Sequence, residues 1–335
     1  MLLLPLTMWY AVVVALRNLL FDWGWKQSVK PDVPTIGVGN LRMGGTGKTP
    51  HTEYLIRLLS SHHIALLSRG YGRQSKGFLL ADAQSTAVTI GDEPAMMKAK
   101  FPDLTVAVCE DRVEGIRRLM QLPQPPRLVL LDDVYQHRHL KPSLSILLTE
   151  FGNPYFDDHI LPFGNLREWR CGSRRADIVV VTKCPPLVSE QQRQAYRTKL
   201  KLQPHQLLHF SQIDYGQPLP LYGGADWQPV KEVLLLTGIA HPAPLKRHLE
   251  KQCTVHHLDF PDHHDFSAAD IKQIVTTFNG IHETSKAIVT TEKDAMRLRV
   301  STVAAQLSAL PIYYIPITIR FDDDAAFLST IKKFV

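Results

Sequence analysis

Cysteine is scarce in this sequence of 335 residues, which contains four cysteines and no C-x-x-C pair. Such usage is typical of a cytosolic protein whose thiols stay reduced. Zinc-finger spacings and RNA-binding signatures are also missing, and the basic residues are scattered along the chain, so the sequence disfavours nucleic acid as a partner. Internal repeats and low-complexity tracts are absent as well.

An apolar run long enough to span a bilayer is missing, although the N-terminus comes close. About sixteen residues precede the first charge, Arg17, whereas a membrane-spanning helix needs roughly twenty. The basic start and small-residue cleavage site of a signal peptide are absent too. Tryptophans and the long side chains of Arg17 and Lys26 suit the headgroup region, so residues 1–25 predict a helix that lies on a membrane surface. A buried helix of the core is the alternative.

The sequence does contain enough apolar residues for a large core, and it carries an excess of positive charge. Apolar residues make up 44% of the chain, and its length exceeds the size at which single cores stop growing, so we expect two domains. The net charge of +6 favours acidic partners, such as an anionic membrane surface or a phosphorylated substrate.

Glycine is concentrated in one stretch, GVGNLRMGGTGKTP, from Gly37 to Pro50. The phosphate-binding loop of nucleotide-binding proteins reads G-x-x-x-x-G-K-[ST], and here Arg42 occupies the position of its first glycine. The glycines that follow can adopt positive φ and expose backbone N–H groups, so the loop can still surround an anion. A short strand from Thr35 and an amphipathic helix over 52–59 flank the stretch, which favours a nucleotide site over a simple glycine-rich turn.

The residues of this loop have expected tasks in nucleotide binding. Lys48 would reach the β- and γ-phosphates, and the Thr49 hydroxyl would bind Mg²⁺. The guanine-reading motif N-K-x-D is missing, so ATP is the expected nucleotide. The nucleotide-binding residues that we expect are Arg42, Met43, Gly44, Gly45, Thr46, Gly47, Lys48 and Thr49, together with Gln136.

Short apolar runs separated by helix-length segments predict buried parallel strands. They imply an α/β fold, a doubly wound parallel sheet of the P-loop NTPase type with a second, smaller α/β domain. The runs are Ile64–Ser68, Thr105–Val108, Leu128–Leu131, Ser145–Leu148 and Ile178–Val181. Glycine and proline mark residues 216–230 as a linker. The expected divisions are therefore the helix at 1–25, a P-loop domain at 26–215 and a C-terminal domain at 231–335.

Two adjacent acids follow one of these strands in the segment RLVLLDDVYQH. Ligands of open α/β sheets bind at the carboxyl ends of strands, where Asp132 and Asp133 are expected. Beside a phosphate loop such carboxylates commonly hold Mg²⁺ through water, although a strand-end cap is the alternative. Gln136 and His137 are close enough in sequence to join the site.

Three further polar clusters allow more than one interpretation. Asp92 and Glu93 precede a proline in IGDEPAMM, which by itself favours a helix start. The segment LPFGNLREWR offers Arg167 as a phosphate clamp and Glu168 as a metal ligand, or a charged surface loop. The segment FPDHHDF, with His263, is compatible with a metal cluster, a base with its orienting partner, or a polar helix start.

In their order along the chain, the motifs resemble those of a known family. The set consists of VGNLRMGGTGKTP, SRGYGR, GDEP, LDDVYQHRHL, LPFGNLRE, TGIAHP, FPDHHDF and TTEKD. Together they look like the tetraacyldisaccharide 4'-kinases, the lipid A 4'-kinases of Gram-negative bacteria. The resemblance extends from the N-terminal apolar helix to about Leu298. No single motif is specific, but the ordered set is.

The resemblance implies an activity and a location. The family transfers the γ-phosphate of ATP to the 4'-hydroxyl of a tetraacylated glucosamine disaccharide 1-phosphate, an anionic lipid, at the cytoplasmic face of the inner membrane. No protein partner is implied. Two rival classes remain open from the residues: a membrane-associated nucleotide-switch ATPase with the same loop, and a non-catalytic membrane-binding module.

The resemblance also implies roles for single residues. Asp92 would activate the acceptor hydroxyl with His263 as its partner, and Lys48 would act on the phosphates. Asp92 therefore gains a catalytic role beyond the helix start. Gln136 would lie beside the nucleotide. The metal-side residues that the resemblance implies are Thr49, Asp132, Asp133 and Glu168.

Overall fold

The computed structural model describes residues 3–262, 264–299 and 306–334. The chain divides into two compact units, the first formed by Met1–Ile213 with Ile319–Val335 and the second by Asp214–Thr318. The described helices are α1 (Leu3–Asp22), α2 (Lys48–Leu58), α3 (Ala87–Ile90), α4 (Asp92–Lys100), α5 (Arg112–Leu119), α6 (Glu190–Leu200), α7 (Ala243–Leu249), α8 (Ala268–Gly280), α9 (Glu292–Leu298) and α10 (Asp324–Lys332). The described strands are β1 (Thr35–Asn40), β2 (Ile64–Ser68), β3 (Leu79–Leu80), β4 (Thr105–Val108), β5 (Leu128–Asp132), β6 (Leu144–Glu150), β7 (Ile178–Thr182), β8 (Leu207–Tyr215), β9 (Leu219–Pro220), β10 (Glu232–Thr237), β11 (Thr254–Asp259), β12 (Lys286–Thr291), β13 (Ile312–Ile315) and β14 (Ile317–Phe321).

The first unit is built on a sheet with β1 at its centre. The strand order is β14-β8-β7-β6-β1-β5-β2-β4-β3. β1 pairs in parallel with β5 on one side and with β6 on the other, and the register places Val38 opposite Asp132. The chain crosses from one half of the sheet to the other between β5 and β6, which is the switch point beside which open α/β sheets bind ligands.

Burial explains why the apolar runs form these strands. Every residue of β1, β2, β5 and β7 is buried, as expected for parallel strands that are covered on both faces. One cluster under the sheet joins Leu131 to Ile116 of α5. A second cluster joins Leu147 and Val179 to Ala11 of α1, so α1 packs on the first unit.

The second unit has a smaller sheet with the order β11-β10-β12-β13-β9. Its strands pair in parallel except for β9, which runs antiparallel to β13. Leu234 and Ile288 pack with Ile274 of α8 on one face, and Val233 and Val289 form a separate cluster.

The predicted fold class is confirmed, and the predicted apolar runs form strands with ends that agree within two residues. The divisions differ from the prediction in two places. The predicted linker, 216–230, contains β9 of the second sheet, and residues 319–335 belong to the first unit because β14 lies beside β8. The helix predicted over 52–59 begins earlier, at Lys48. None of the described helices combines the length and apolarity needed to cross a membrane.

Candidate active site

The glycine-rich loop connects the buried end of β1 to the first turn of α2. Gly44 and Gly47 have φ of 85° and 89°, the left-handed region that glycine adopts without strain. Asn40 at the end of β1 holds the loop by hydrogen bonds. Its Nδ2 donates to Thr46 Oγ1 at 2.7 Å and to the Gly44 carbonyl at 3.3 Å. The Thr182 hydroxyl donates to the Thr46 carbonyl at 2.9 Å. The N-terminus of α2 therefore faces a fixed loop, as in sites that bind anions.

A buried histidine supports the end of this loop. His51 Nδ1 lies 2.6 Å from the Gly47 carbonyl, and its Nε2 lies 2.9 Å from the Ser211 hydroxyl. Since a carbonyl only accepts, Nδ1 carries the proton. Burial lowers the pKa of His51 to about 4, so the ring is neutral near pH 7.

Lys48, Asp133 and Arg167 form a charged group above the carboxyl end of β5. Lys48 Nζ lies 3.6 Å from Asp133 Oδ1, and Arg167 Nη1 donates to the same carboxylate at 2.9 Å. Burial alone would raise the pKa of Asp133, but Lys48 and Arg167 outweigh it and lower the pKa below its ordinary value. Asp133 has a φ of 45°, which turns the chain away from the strand. The carboxylate thus stays ionised and holds both cations in place.

Asp132 is buried beside this group and has a different environment. Burial, followed by the charges of Glu93 and Asp133, raises the pKa of Asp132 to about 7, although Lys48 and Arg112 oppose the rise. Its Oδ1 is buried and has no hydrogen-bond partner among the described residues. The Arg112 guanidinium lies beneath the strand end and donates to the Asp132 carbonyl at 3.3 Å. Buried polar atoms are nearly always satisfied, so this oxygen marks a place for a cation or a donor.

Glu93 joins the site, and the sequence analysis did not assign it there. The Thr49 hydroxyl donates to Glu93 Oε1 at 2.8 Å, so the first turn of α4 meets the first turn of α2. Asp92 begins α4, which confirms that GDEP starts a helix, and its side chain is exposed. The acidic residues before the proline predicted the start of the helix, but they did not predict the contact of Glu93 with Thr49.

Glu168 lies at the centre of a buried hydrogen-bond network. Its carboxylate accepts from Arg175 at 2.8 and 2.9 Å, from Gln136 Nε2 at 3.1 Å and from Asn18 Nδ2 at 3.0 Å. Gln136 Nε2 also donates to the Asn40 carbonyl at 2.8 Å. These donors contact both oxygens of the carboxylate, and the predicted role of Glu168 as a metal ligand stays a prediction. Arg175 and Asn18 carried no sequence signal.

Arg42 and Met43 lie at the rim of the loop. Arg42 is buried, and its guanidinium donates to Asp158 Oδ2 and to the Asn153 carbonyl, both at 2.5 Å. The Met43 backbone N–H donates to the Asn165 carbonyl at 2.8 Å, and its side chain is exposed. The Arg42 side chain therefore anchors the loop to the segment that precedes Arg167, and its predicted contact with nucleotide stays a prediction.

The predicted partner of Asp92, His263, lies outside the described residues. Its neighbour His264 belongs to the second unit, where Nε2 lies 3.0 Å from Asp270 Oδ2 and the ring stacks on Phe260 with centroids 4.9 Å apart. Asp270 also forms the capping box of α8 with Ser267. In the described part of the chain, no three His, Cys, Asp or Glu side chains are arranged to hold a metal ion. The helix α8 begins at Ala268, just after FPDHHDF, and the role of His263 stays a prediction.

Comparisons with known proteins agree with this geometry. A family model described as Tetraacyldisaccharide-1-P 4'-kinase matches residues 1–335. The tetraacyldisaccharide 4'-kinase of Parabacteroides distasonis is 45% identical over 100% of this chain and 94% of its own length, and that of Flavobacterium johnsoniae is 46% identical over 99% and 97%. A crystal structure of LpxK from Aquifex aeolicus in complex with ATP has a TM-score of 0.76 at 27% identity and covers 99% of this chain and 98% of its own. This chain therefore belongs to the tetraacyldisaccharide 4'-kinase family.

Proposed function

We propose that this protein transfers the γ-phosphate of ATP to the 4'-hydroxyl of a tetraacylated glucosamine disaccharide 1-phosphate, a step of lipid A biosynthesis. The observation that carries the proposal is the meeting of Lys48, at the start of α2, with Asp133, at the end of β5, at 3.6 Å. P-loop enzymes use a phosphate loop beside strand-end carboxylates to bind nucleotide and metal. The identity of the acceptor is inferred from the membership of this chain in the kinase family.

The phosphate loop and the positively charged side chains of Lys48 and Arg167 would bind the nucleotide. The relative from Aquifex aeolicus was crystallised with ATP, which supports ATP over GTP here. Lys48 would exchange its contact with Asp133 for the β- and γ-phosphates. Arg167, which contacts the same carboxylate, would bind the transferred group. Charge neutralisation and positioning supply most of the catalysis in phosphoryl transfer.

The residues around Thr49 fit a magnesium ion. The Thr49 hydroxyl, the Glu93 carboxylate and the unpartnered Oδ1 of Asp132 are hard oxygen ligands. Burial, followed by the charges of Glu93 and Asp133, raises the pKa of Asp132, and a bound cation would oppose this rise. Thr49, Glu93 and Asp132 would hold the ion through their side-chain oxygens. When bound, Mg²⁺ would neutralise charge on the phosphates. Because Asp133 contacts Lys48 and Arg167, we propose that its role is to orient these two side chains.

Asp92 is the residue that we propose as the base. It follows Gly91 at the first position of α4, it is exposed, and the next residue, Glu93, contacts Thr49. A carboxylate here would accept the proton of the attacking hydroxyl late in the transfer. The family resemblance implies that His263 is the functional partner of Asp92, and we retain this assignment as a proposal.

The loop at 69–73 offers a surface for the acceptor sugar. A Cβ on Gly91 would come within 2.9 Å of the Tyr71 carbonyl, so the loop touches the start of α4 directly. Tyr71, whose backbone carbonyl lies next to Gly91, is 86% exposed. An exposed aromatic ring with a polar hydroxyl suits contact with a sugar face.

The outer face of α1 is the surface that we propose for contact with the membrane, at the cytoplasmic face of the inner membrane. Its exposed apolar side chains are Leu6, Met8, Trp9, Val12, Val13, Leu16 and Leu19, with Trp23 and Trp25 beyond the helix. Lys26 and Lys30 are exposed next to them, which favours an anionic bilayer surface. An acylated substrate would be reached from that surface.

Incubation of the purified protein with Mg²⁺, ATP labelled at its γ-phosphate and a tetraacyl disaccharide 1-phosphate in vesicles tests the proposal. We expect a labelled bisphosphorylated lipid. Label that appears only as free phosphate would instead support the nucleotide-switch ATPase, and the absence of turnover would support a binding module. The Lys48→Ala variant is the matched negative control.

A further inference from the structure

The helix α1 has two sides with different chemistry. The outer side carries the exposed apolar residues, whereas the inner side is tied by hydrogen bonds to segments of the candidate active site. Tyr10 donates through its hydroxyl to the Arg167 carbonyl at 2.9 Å, and Trp169 Nε1 donates to the Ala11 carbonyl at 3.1 Å. Arg17 Nη2 donates to the Gln136 carbonyl at 2.9 Å. A helix that served membrane contact alone would not need these bonds.

Asn18 of α1 contacts a buried carboxylate of the first unit. Its Nδ2 donates to Glu168 Oε2 at 3.0 Å, and Glu168 is only 3% exposed. The Oδ1 of Asn18 is buried and has no hydrogen-bond partner among the described residues. A buried amide with one unsatisfied atom is costly, so its presence requires an explanation.

The bonds continue from Glu168 to the phosphate-binding groups. Gln136 Nε2 donates to Glu168 and to the Asn40 carbonyl, at the base of the loop. Its Oε1 accepts from Arg167 at 3.3 Å, and Arg167 holds Asp133. The path from α1 to Asp133 therefore consists of four consecutive side-chain contacts. A shift of about 1 Å in such groups is enough to slow catalysis strongly.

We propose that Asn18, with Arg17 beside it, is a positioning residue for phosphoryl transfer, which acts through Glu168 and Gln136 on Arg167 and Asp133. The inference rests on the proposed kinase function. α1 then has two separable tasks: its outer side recruits the enzyme to lipid, and its inner side fixes the geometry of the phosphate-binding groups. Asn18 touches no reacting group and is not itself catalytic.

The two tasks predict opposite kinetic patterns for variants on the same helix. Asn18→Ala should lower kcat roughly ten- to hundredfold, because Gln136 and Arg167 lose their fixed position, and should leave the KM for lipid in vesicles and the membrane-bound fraction unchanged. Leu16→Ser, on the outer side, should raise that KM and reduce the membrane-bound fraction with kcat retained. Normal kcat in Asn18→Ala would overturn the inference while the kinase function stands. Absence of lipid phosphorylation by the wild type would overturn the function itself.

A double-mutant cycle tests whether Asn18 acts through Glu168. In the Glu168→Gln background, Asn18→Ala should cost little further kcat, since the contact is already altered. Losses that multiply fully would contradict the proposed path. If Asn18→Ala does not fold, as judged by circular dichroism, Arg17→Met replaces it: this variant keeps the aliphatic stem but loses the bond to Gln136, and kcat should again fall. Normal kcat in a folded Arg17→Met would also overturn the inference.

Discussion

The Thr49 hydroxyl donates a hydrogen bond of 2.8 Å to Glu93 Oε1 and thereby joins the first turns of α2 and α4. The two adjacent acids of GDEP thus have different environments. Glu93 contacts the hydroxyl that is expected to bind metal, whereas Asp92 is exposed. One motif can therefore supply a metal-side acid and a base.

Substitution of each acid of this pair should separate the two roles. Asp92→Asn should lower kcat by roughly 10²–10⁴-fold and leave the affinity for Mg²⁺-ATP nearly intact, because a general base is lost. Glu93→Gln should instead raise the Mg²⁺ concentration needed for half-maximal rate. Rates measured across a Mg²⁺ titration distinguish the outcomes. Rescue of Asp92→Asn by excess Mg²⁺ would identify Asp92 as a metal ligand.

The predicted partnership of Asp92 with His263 has its own test. Groups that act as a unit are strongly non-additive, so Asp92→Asn combined with His263→Ala should cost little more in kcat than the worse single change. Single-turnover rates of the four proteins provide the measurement. Losses that multiply would show that the two residues act independently.

Local rules explain which parts of the site could be predicted. The loop motif predicted that Lys48 and Thr49 belong to the candidate site, and the acids after a buried strand predicted the same for Asp132. Both predictions were possible because each signal is contained in a few consecutive residues. Glu93 was missed because its partner lies on another helix, and only the packed fold brings α4 to α2. Arg112 was missed for the same reason, since a cation beneath a strand end leaves no motif.

Long-range packing produces the contacts that single motifs could not predict. The loop motif predicts a nucleotide contact for Arg42, which stays a prediction, but it could not predict the ion pair of Arg42 with Asp158 on a distant loop. The LRE motif predicts a metal ligand at Glu168, but it could not predict the hydrogen bonds of Glu168 with Arg175 and Asn18, which are distant from the motif or outside it. Strands buried on both faces were read correctly because their apolar pattern is local. Residues 319–335 belong to the first unit because β14 pairs with β8, and no short sequence pattern predicts this pairing.

Lys48→Ala should abolish most activity without unfolding the protein. The variant removes the charge that would neutralise the β- and γ-phosphates, a loss that typically costs several kcal/mol of transition-state stabilisation. We expect kcat to fall by orders of magnitude while circular dichroism is unchanged. Lys183→Ala is a suitable control, since Lys183 pairs with Glu150 outside the loop. Near-normal turnover by Lys48→Ala would mean that the loop is not the ATP site.

Gly39→Ala should disturb the packing between β1 and the segment after β5. A Cβ at Gly39 would lie 2.6 Å from Tyr135 Cβ, and Tyr135 is fixed because its hydroxyl donates to the Gly172 carbonyl at 2.7 Å. Overpacking of this kind costs roughly 1–3 kcal/mol in unfolding free energy. At Gly152 an added Cβ meets nothing within 4 Å in the described part of the chain, so Gly152→Ala is the control. Equal Tm values for the two variants would refute the prediction.

His209 should make the stability of the first unit depend on pH. Its ring is buried against Phe321 and Phe327, with centroids 6.2 and 5.2 Å away. Burial lowers the pKa of His209, and the charges of Asp322 and Asp323 oppose the shift only in part. The unfolded chain, with an ordinary pKa of about 6.5, therefore binds a proton more readily than the folded protein.

The sign of the effect follows from this difference in proton binding. The stabilisation from neutral His209 is complete above about pH 6.5, and it is lost progressively as the pH falls from there toward the lower folded pKa. His209→Leu removes the titration, so the unfolding free energy of wild type minus that of the variant should decrease between about pH 8 and pH 5. Denaturant unfolding at several pH values measures it. Because the pKa values of His51 and His137 are also lowered, to about 4, the variant keeps some pH dependence of its own, and the difference between the two proteins is the informative quantity. If the difference in unfolding free energy between the two proteins is constant with pH, the pKa of His209 is not lowered by folding.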